Sequence, residues 1–489
     1  MATDRFAQPI VALATPYASG ALAVIRTSGV GAVEMVDALF SPRGRLAAAD
    51  GYTVHHGRLV IPEGEWAGAD SAPGEQGGEV LDEVLATVFR APRSYTGEDS
   101  VEISCHGSPA GIDRILAALC AAGFRPAEPG EFTLRAFLAG KIDLTRAEAV
   151  QEIVSAQTRE AHAMALQRLS GAVEERINDV KGRLVSLLAA IDIQLDYPEE
   201  ETGEIVVPPE SVREVEELLR SLLAGWRTGR IYQEGVRVAI AGRTNAGKSS
   251  LFNALLRQDR AIVSAIAGTT RDYLEAPISL SGVPARVFDT AGFRETIEEI
   301  ESEGIRRSSE ILDSADLVVW VVDASAGSPD ASAGSPDASA GNADPVAGDA
   351  DAAAEAAVIE RLRADGRLVG AWNKVDLGDH GSPPAGFLPV SVKTGTGMDE
   401  LLQALAHAVL PESLAWTGEP VIDSLRQKEL LERALQALGH VREGLSEQVP
   451  VDTIALDMEE AVRALGEITG EVTSDDVLDA MFRGFCVGK

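Results

Sequence analysis

Apolar residues recur at threes and fours from Leu166 to Ile191: Leu166, Leu169, Val173, Ile177, Val180, Leu184, Leu187 and Ile191. That spacing puts them on one helical stripe, and the plainest use of such a stripe is a bundle core. It predicts helix from Leu144 to about Leu195, broken at Pro198 and the acidic Glu199–Glu201. Helix resumes over Pro209–Trp226, Ile422–Leu445 and Met458–Leu465. Before the first helical run the pattern is mixed. Ile10–Ala14, Leu22–Arg26, Leu59–Ile61, Val84–Phe89 and Val101–Cys105 read as strands, Ile112–Ala122 as a helix stopped by Gly123, and Glu63–Glu79 as a surface loop.

Between the helical runs, strands and helices alternate. Strands are predicted at Val236–Ala241, Ala285–Phe288, Leu317–Val322, Leu368–Trp372 and Leu388–Val390. Helices are predicted at Ser249–Leu256, near Ile300–Leu312 and at Ala352–Leu362. Such alternation implies a mainly parallel sheet covered on both faces. The economical plan is an α/β domain at 1–140, a helical domain split into 141–234 and 412–489, and an α/β domain inserted at 235–411. The segment Asp323–Asp351 repeats Asp-Ala-Ser-Ala-Gly-Ser-Pro and has no aromatic or basic residue, so it reads as a disordered, tolerated loop expansion.

The 489 residues exceed one core, and the net charge is −33. So acidic a chain argues against a broad nonspecific grip on nucleic acid. Cys105, Cys120 and Cys486 are scattered with no Cys-x-x-Cys pair, which points away from a zinc site or disulfide framework and toward a reducing compartment. The opening Met1-Ala-Thr-Asp-Arg lacks a basic-then-apolar leader, and no apolar run is long enough to span a bilayer. A cytoplasmic protein with no membrane partner is expected.

Four motifs give the inserted domain its chemistry. Gly242-Arg-Thr-Asn-Ala-Gly-Lys248-Ser249 is a phosphate loop, in which backbone amides cradle phosphates, Lys248 neutralises them and Ser249 offers a hydroxyl to Mg²⁺. Asp289-Thr-Ala-Gly292 follows; Asp289 is expected to reach the metal through water, and the Gly292 amide to reach the γ-phosphate. Asn373-Lys-Val-Asp376 and Ser391-Val-Lys393 complete the set. The Asp376 carboxylate can accept from the N1 and N2 hydrogens of guanine, a donor pair that adenine lacks. Each motif follows a strand, at the carboxyl edge where such sheets bind ligands. Gly268-Thr-Thr-Arg-Asp272 occupies the place of a switch segment, with Thr270 as a second Mg²⁺ ligand.

Phe293 stands where many GTPases have a glutamine that orients the attacking water. Two features can compensate. Asn245 can seat a monovalent cation beside the phosphates, and the run Glu298, Glu299, Glu301 and Glu303 can deliver a carboxylate. Each has an ordinary alternative: asparagine suits a turn, and a Glu-rich face is usually solvated.

Together these stretches resemble the bacterial tRNA-modification GTPase family MnmE (TrmE), over nearly the whole chain. Ala261-Ile-Val-Ser-Ala-Ile-Ala-Gly-Thr-Thr-Arg-Asp272 resembles that family's potassium loop. Ser94-Tyr-Thr-Gly-Glu-Asp99, Pro129–Leu144 and the ending Phe485-Cys-Val-Gly-Lys489 belong to no generic GTPase. Thr244 in place of Pro, Ala265 in place of Asp, His106-Gly107-Ser108 and the 323–351 insertion depart from the family pattern.

The motifs and the resemblance together imply GTP contacts at Asn245, Ala246, Gly247, Lys248, Ser249 and Ser250, and at Ser264, Ala265, Ile266, Ala267, Gly268, Thr269 and Thr270. Further contacts fall at Asp289, Thr290, Ala291 and Gly292, at Asn373, Lys374, Val375 and Asp376, and at Ser391, Val392 and Lys393. The resemblance implies K⁺ at Asn245, Ser264, Ile266 and Thr269, and catalytic roles for Lys248 and for Glu301 as the water-positioning carboxylate. It also implies a tetrahydrofolate-binding, dimer-forming N-terminal domain with folate contacts at Arg26, Glu102, Lys141 and Lys489. Cys486 can serve as a nucleophile or redox group near the folate, although cysteines so placed are more often inert. Cations suit the glutamate tail of folate, and a carboxylate suits the N–H edge of its pterin.

The implied reaction joins a carboxymethylaminomethyl or aminomethyl group to carbon 5 of the wobble uridine of certain tRNAs. The one-carbon unit would come from methylenetetrahydrofolate (5-formyltetrahydrofolate being the stable probe), and a FAD-dependent, MnmG/GidA-like partner would perform the redox step in a heterotetramer or larger complex with a homodimer of this chain. Two rival readings stay open on sequence: a ribosome-assembly GTPase, which calls for a basic RNA module, and a nucleotide-gated scaffold without folate chemistry.

Overall fold

The computed structural model describes residues 7–62, 78–196, 208–258, 275–289, 312–326, 345–378, 381–411, 414–447 and 449–488. The first elements are β1 (Ile10–Leu13), β2 (Leu22–Ser28), α1 (Ala32–Leu39), β3 (Phe40–Ser41), β4 (Thr53–Pro62), β5 (Gly78–Phe89), β6 (Ser100–His106), α2 (Pro109–Ala121), β7 (Arg125–Pro126) and α3 (Glu131–Leu138). The seven strands form one sheet in the order β3-β4-β5-β6-β2-β1-β7, antiparallel except for β1 beside β7.

Strand alternation decides what this sheet buries. Ala23, Ile25, Val84, Ala86, Val88, Val101, Ile103 and Cys105 form one core with Val33 and Val36 of α1 and Ile112, Ile115 and Leu119 of α2. The alternate residues fall on the opposite face. There Val54, Thr87, Glu102, Arg26 and Ala12 stand in one cross-strand row, and Leu22 and Leu85 are exposed. The expected loop Glu63–Glu79 is shorter at its end than its composition suggests, because Gly78 and Glu79 already pair with Pro62 and Ile61.

Helices follow: α4 (Leu144–Ser155), α5 (Arg159–Leu169), α6 (Ala172–Asp196), α7 (Pro209–Ala224) and α8 (Trp226–Glu234). The expected continuous stripe is divided. Gly171 takes a φ of +95°, where a Cβ would also meet Arg146, so α5 stops and α6 starts afresh. Leu166 is consequently exposed, whereas Val173, Ile177, Val180, Leu184 and Ile191 are buried as the period requires.

The next elements are β8 (Val236–Gly242), α9 (Lys248–Gln258), β9 (Glu275–Leu280), β10 (Val283–Asp289), β11 (Leu317–Asp323), α10 (Pro345–Ala364), β12 (Leu368–Asn373), β13 (Phe387–Val390) and α11 (Met398–Val409). Their sheet runs β13-β12-β11-β8-β10-β9 and is parallel except for the β9–β10 hairpin. Strand β9 is an addition to the sequence reading. Its signal was the Ser281-Gly282 turn, whose φ values of 52° and 89° suit a tight hairpin. Val238, Ile240, Val287, Val319 and Ala371 bury one face with Leu251 and Leu255 of α9 and Leu401 and Leu405 of α11. Ala239, Val318, Trp320 and Trp372 bury the other with Leu362 of α10.

The low-complexity segment is smaller than its repeats suggest. Asp323 closes β11, Ala324–Ala326 form a 3₁₀ turn, and α10 begins at Pro345, so both ends of 323–351 lie in regular structure. Asp323 belongs to the strand because its carboxylate has a lysine partner and caps the following turn. The helix expected near Ile300–Leu312 lies outside the described residues except for Leu312.

The chain finishes with α12 (Leu425–Glu447), α13 (Val451–Thr469) and α14 (Asp475–Phe482). Packing divides it into two compact units: Met1–Gln151 with Leu169–Val185 and Glu459–Lys489, and Glu152–Arg168 with Ser186–Met458. In the first unit Leu134, Leu144 and Ala147 share a core with Leu478, Phe482 and Phe485. In the second, Arg168, 2% exposed, pairs with both Glu152 and Asp423.

Candidate functional site

The phosphate loop leaves a buried central strand and enters a helix. Gly242 has a φ of +135°, and a Cβ there would overlap the carbonyl oxygen of Val321. Only glycine fits so close to the neighbouring strand. Asn245 holds a φ of +65°, a left-handed conformation that asparagine tolerates better than most residues. Lys248 is 8% exposed, and its ammonium donates to the carbonyls of Gly242 (2.9 Å) and Arg243 (2.7 Å), so the cation is held by the loop itself. Ser249 stands exposed in the first turn of α9, and Asp289 ends β10 fully buried.

The guanine motif meets this loop directly. A Cβ on Gly247 would overlap Asn373 Nδ2, and that amide donates to the Ala246 carbonyl at 2.9 Å. Lys374, at a φ of +70°, donates to the Asn245 carbonyl (2.7 Å) and to Asp323 Oδ2 (2.6 Å). Burial pushes the Asp323 carboxyl up, but hydrogen bonds from Lys374 and Ser325 outweigh it and hold the group below its ordinary 3.8. Ser391, fully buried, donates from its hydroxyl to Asp376 Oδ1 at 2.7 Å, and the Val392 amide donates to Asn373 Oδ1 at 3.4 Å. The three motifs, far apart in sequence, thus form one hydrogen-bonded frame.

A cleft of about 640 Å³ opens at this frame, lined by Gly247, Ser250, Asn253, Ala254, Arg257, Asn373, Lys374, Asp376, Leu377, Val392, Lys393, Gly395 and Met398. Asn253, Ala254, Arg257, Leu377, Gly395 and Met398 were not among the sequence candidates. The signal for the first three was the helical period, since Ser250, Asn253, Ala254 and Arg257 follow one face of α9. Of the called residues, Ser264, Ala265, Ile266, Ala267, Gly268, Thr269, Thr270, Thr290, Ala291, Gly292 and Glu301 lie outside the described residues. Val375 is placed in the 3₁₀ turn that carries Asp376.

In the N-terminal sheet, Arg26 and Glu102 face each other across β2 and β6 and form an ion pair at 2.8 Å, with side chains 23% and 30% exposed. Arg26 Nη1 also donates to the Gly488 carbonyl at 3.1 Å, and its guanidinium sits 5.7 Å from the ring centres of both Tyr95 and Phe132. Lys141 donates to the Pro92 carbonyl at 2.9 Å. The segment 92–99 therefore touches Lys141 at Pro92 and Arg26 at Tyr95, and Glu102 joins them through Arg26; Lys489 lies outside the described residues. Gly488 is held close, since a Cβ there would crowd Leu13 and Ala14. The Cys486 thiol is exposed, and its carbonyl accepts from the Gly130 amide at 3.3 Å.

Among the described residues, no helix is long and apolar enough to cross a membrane. A family model described as the GTP-binding protein TrmE N-terminus matches residues 9–141, and one described as the MnmE helical domain matches residues 144–486. The tRNA modification GTPase MnmE of Borrelia recurrentis (strain A1) is 40% identical, over 98% of this chain and 98% of that one. Proteins of the same name from Carboxydothermus hydrogenoformans (38% identical, 98% and 99% covered) and Treponema denticola (40% identical, 98% and 98% covered) match as fully. Among solved structures, the FeoB G-domain from Methanococcus jannaschii covers 36% of this chain at 25% identity, with a TM-score of 0.23, a likeness too weak to argue from. With the phosphate loop, the guanine frame and this end-to-end similarity in place, the chain belongs to the MnmE family of tRNA modification GTPases.

Proposed function

We propose that the chain is a K⁺-stimulated GTP hydrolase acting in tRNA modification. With a FAD-dependent partner it adds a carboxymethylaminomethyl or aminomethyl group to C5 of the wobble uridine of certain tRNAs. The observation that carries the reading is the frame joining Asn245, Ala246, Asn373, Lys374, Asp376 and Ser391, which sets a guanine acceptor beside a phosphate loop. The matches at 9–141 and 144–486 support a division into an N-terminal domain at 1–140, a helical domain at 141–234 with 412–489, and a GTPase domain at 235–411. A cytoplasmic homodimer is part of the same proposal.

The described residues fit the cations this chemistry needs. Ser249 and Asn245 each present an exposed polar side chain that has no partner among the described residues, and buried Asp289 closes the neighbouring strand. Hydroxyl, amide and carboxylate oxygens are donors for hard cations. Ser249, with Thr270, would hold Mg²⁺; Asn245, with Ser264, Ile266 and Thr269, would hold K⁺; both ions supply positive charge against the phosphate oxygens. Lys248 neutralises the β- and γ-phosphates, Asp376 orients the base, and Glu301 positions the attacking water in place of the glutamine that Phe293 displaces.

The N-terminal sheet fits a folate. The guanidinium of Arg26 and the carboxylate of Glu102 stand side by side and partly exposed, with Tyr95 and Phe132 against the guanidinium. Bound methylenetetrahydrofolate supplies the one-carbon unit. Glu102 would accept from the N–H edge of the pterin with Arg26 paired beside it at the same end, and Lys141 and Lys489 would bind the acidic tail.

The reading is tested by mass spectrometry of tRNA nucleosides from a strain lacking the gene. The modified wobble uridine disappears, and expression of this chain restores it. An unchanged nucleoside profile in the deletion strain would remove the proposed function.

A further inference from the structure

Of the phosphate-loop residues 242–249, two are cationic: Lys248, and Arg243, whose side chain is 64% exposed. An exposed arginine beside a phosphate site would ordinarily be left to solvent or to the ligand. Here Arg243 Nε donates to Glu355 Oε2 at 2.5 Å. Glu355 lies on α10, outside every nucleotide motif, and its side chain is 17% exposed. Its second oxygen, Oε1, accepts from the indole Nε1 of Trp320 at 3.2 Å.

Trp320 is 7% exposed and sits on β11 opposite Ala241 of β8, the strand that delivers the loop. Helix α10 is fixed to the same layer through Leu362, with Val358 and Ile359 packed alongside. The Glu355 carboxylate is therefore held by a donor in the core before Arg243 reaches it. An exposed ion pair is weak partly because both side chains must be ordered to form it. In this pair one side is already ordered.

The loop needs such a hold. Asn245 sits at a φ of +65°, and left-handed backbone persists where the surroundings over-determine it. Two residues before it, Arg243 is tied to Glu355. At Asn245 itself, the carbonyl is tied to Lys374, which Asp323 holds. The two ties flank Thr244.

We propose that Glu355 is a positioning residue for GTP. Through Arg243 it fixes the first half of the phosphate loop, so that the loop amides converge before nucleotide arrives. Glu355 touches no nucleotide in this role, and its effect runs through Arg243 alone. The inference rests on GTP occupying this loop, which binding to the unaltered chain checks separately.

The experiment uses the full-length chain, a fluorescent mant-GTP titration and steady-state hydrolysis. Glu355→Gln keeps an acceptor for Trp320 and removes the charge from Arg243. It should weaken mant-GTP binding about 3- to 10-fold and raise KM by a similar factor, with kcat within about twofold. Arg243→Ala should weaken binding comparably, and the double variant should be no weaker than the worse single one, because both remove the same tie. Glu355→Gln binding within about 1.5-fold of the unaltered chain, or single effects that multiply in the double variant, would overturn the assignment. Should Glu355→Gln lower the thermal transition, Arg243→Ala carries the test, since it leaves the Trp320 contact in place.

Discussion

Asn245 carries two separate polar functions. Its backbone carbonyl is taken by Lys374, and its side-chain amide has no partner among the described residues. On the proposed reading the amide oxygen coordinates a monovalent cation, whose charge would face the phosphates. GTP turnover should therefore be at least about tenfold faster in K⁺ than in Na⁺, a difference of about 1.4 kcal/mol in barrier. Asn245→Ala should remove that difference while leaving nucleotide binding measurable. Phosphate-release rates in matched KCl and NaCl check this, and equal rates in the unaltered chain would exclude the cation role. Motif residues of this kind were legible because their spacing is fixed by the phosphates and the base. Glu355 was not, because a glutamate on an alanine-rich helix looks like any solvated acid until folding brings Trp320 and Arg243 to it. Arg257 was hidden for a related reason, since only the face of α9 that carries it shows that it borders the cleft.

At the scale of elements, burial decided where the sequence pattern held. The parallel strands β8, β11 and β12 were legible as short, nearly continuous apolar runs. The hairpin strand β9 was not, because Glu275-Ala-Pro-Ile-Ser-Leu280 alternates too weakly to stand out. The long helical stripe was read correctly in period and wrongly in continuity, since a single glycine at 171 outweighs several well-spaced leucines. Arg168 shows what periodicity cannot reveal: a charge inside the second unit, enclosed by Glu152 and Asp423. Removing one partner from such a group strands the others away from water. Arg168→Ala should cost about 3–5 kcal/mol, seen as a lowered thermal transition, whereas Arg183→Ala, which breaks only an exposed pair with Asp179 on α6, should change little. Equal melting of the two variants would show that the triad contributes no more than a surface pair.

Across the molecule as a whole, the charge of −33 bears on the proposed partnership. A chain this acidic repels a polyanion over most of its surface, so tRNA binding by this chain alone should be weaker than about 1 µM at physiological salt. Filter binding with and without the proposed FAD-dependent partner tests this, and tight binding by the isolated chain would contradict it. A different consequence follows from how the first unit is put together. Leu134, Leu144 and Ala147 are covered by Leu478, Phe482 and Phe485, and Gly130 is bonded to Cys486. The ribosome makes roughly 300 residues between Gln151 and Glu459, which takes about 15–60 s at ordinary elongation rates. For that interval the nascent N-terminal region waits with an apolar flank uncovered. Chaperone demand should thus fall on the beginning of this polypeptide, although the missing piece is its tail.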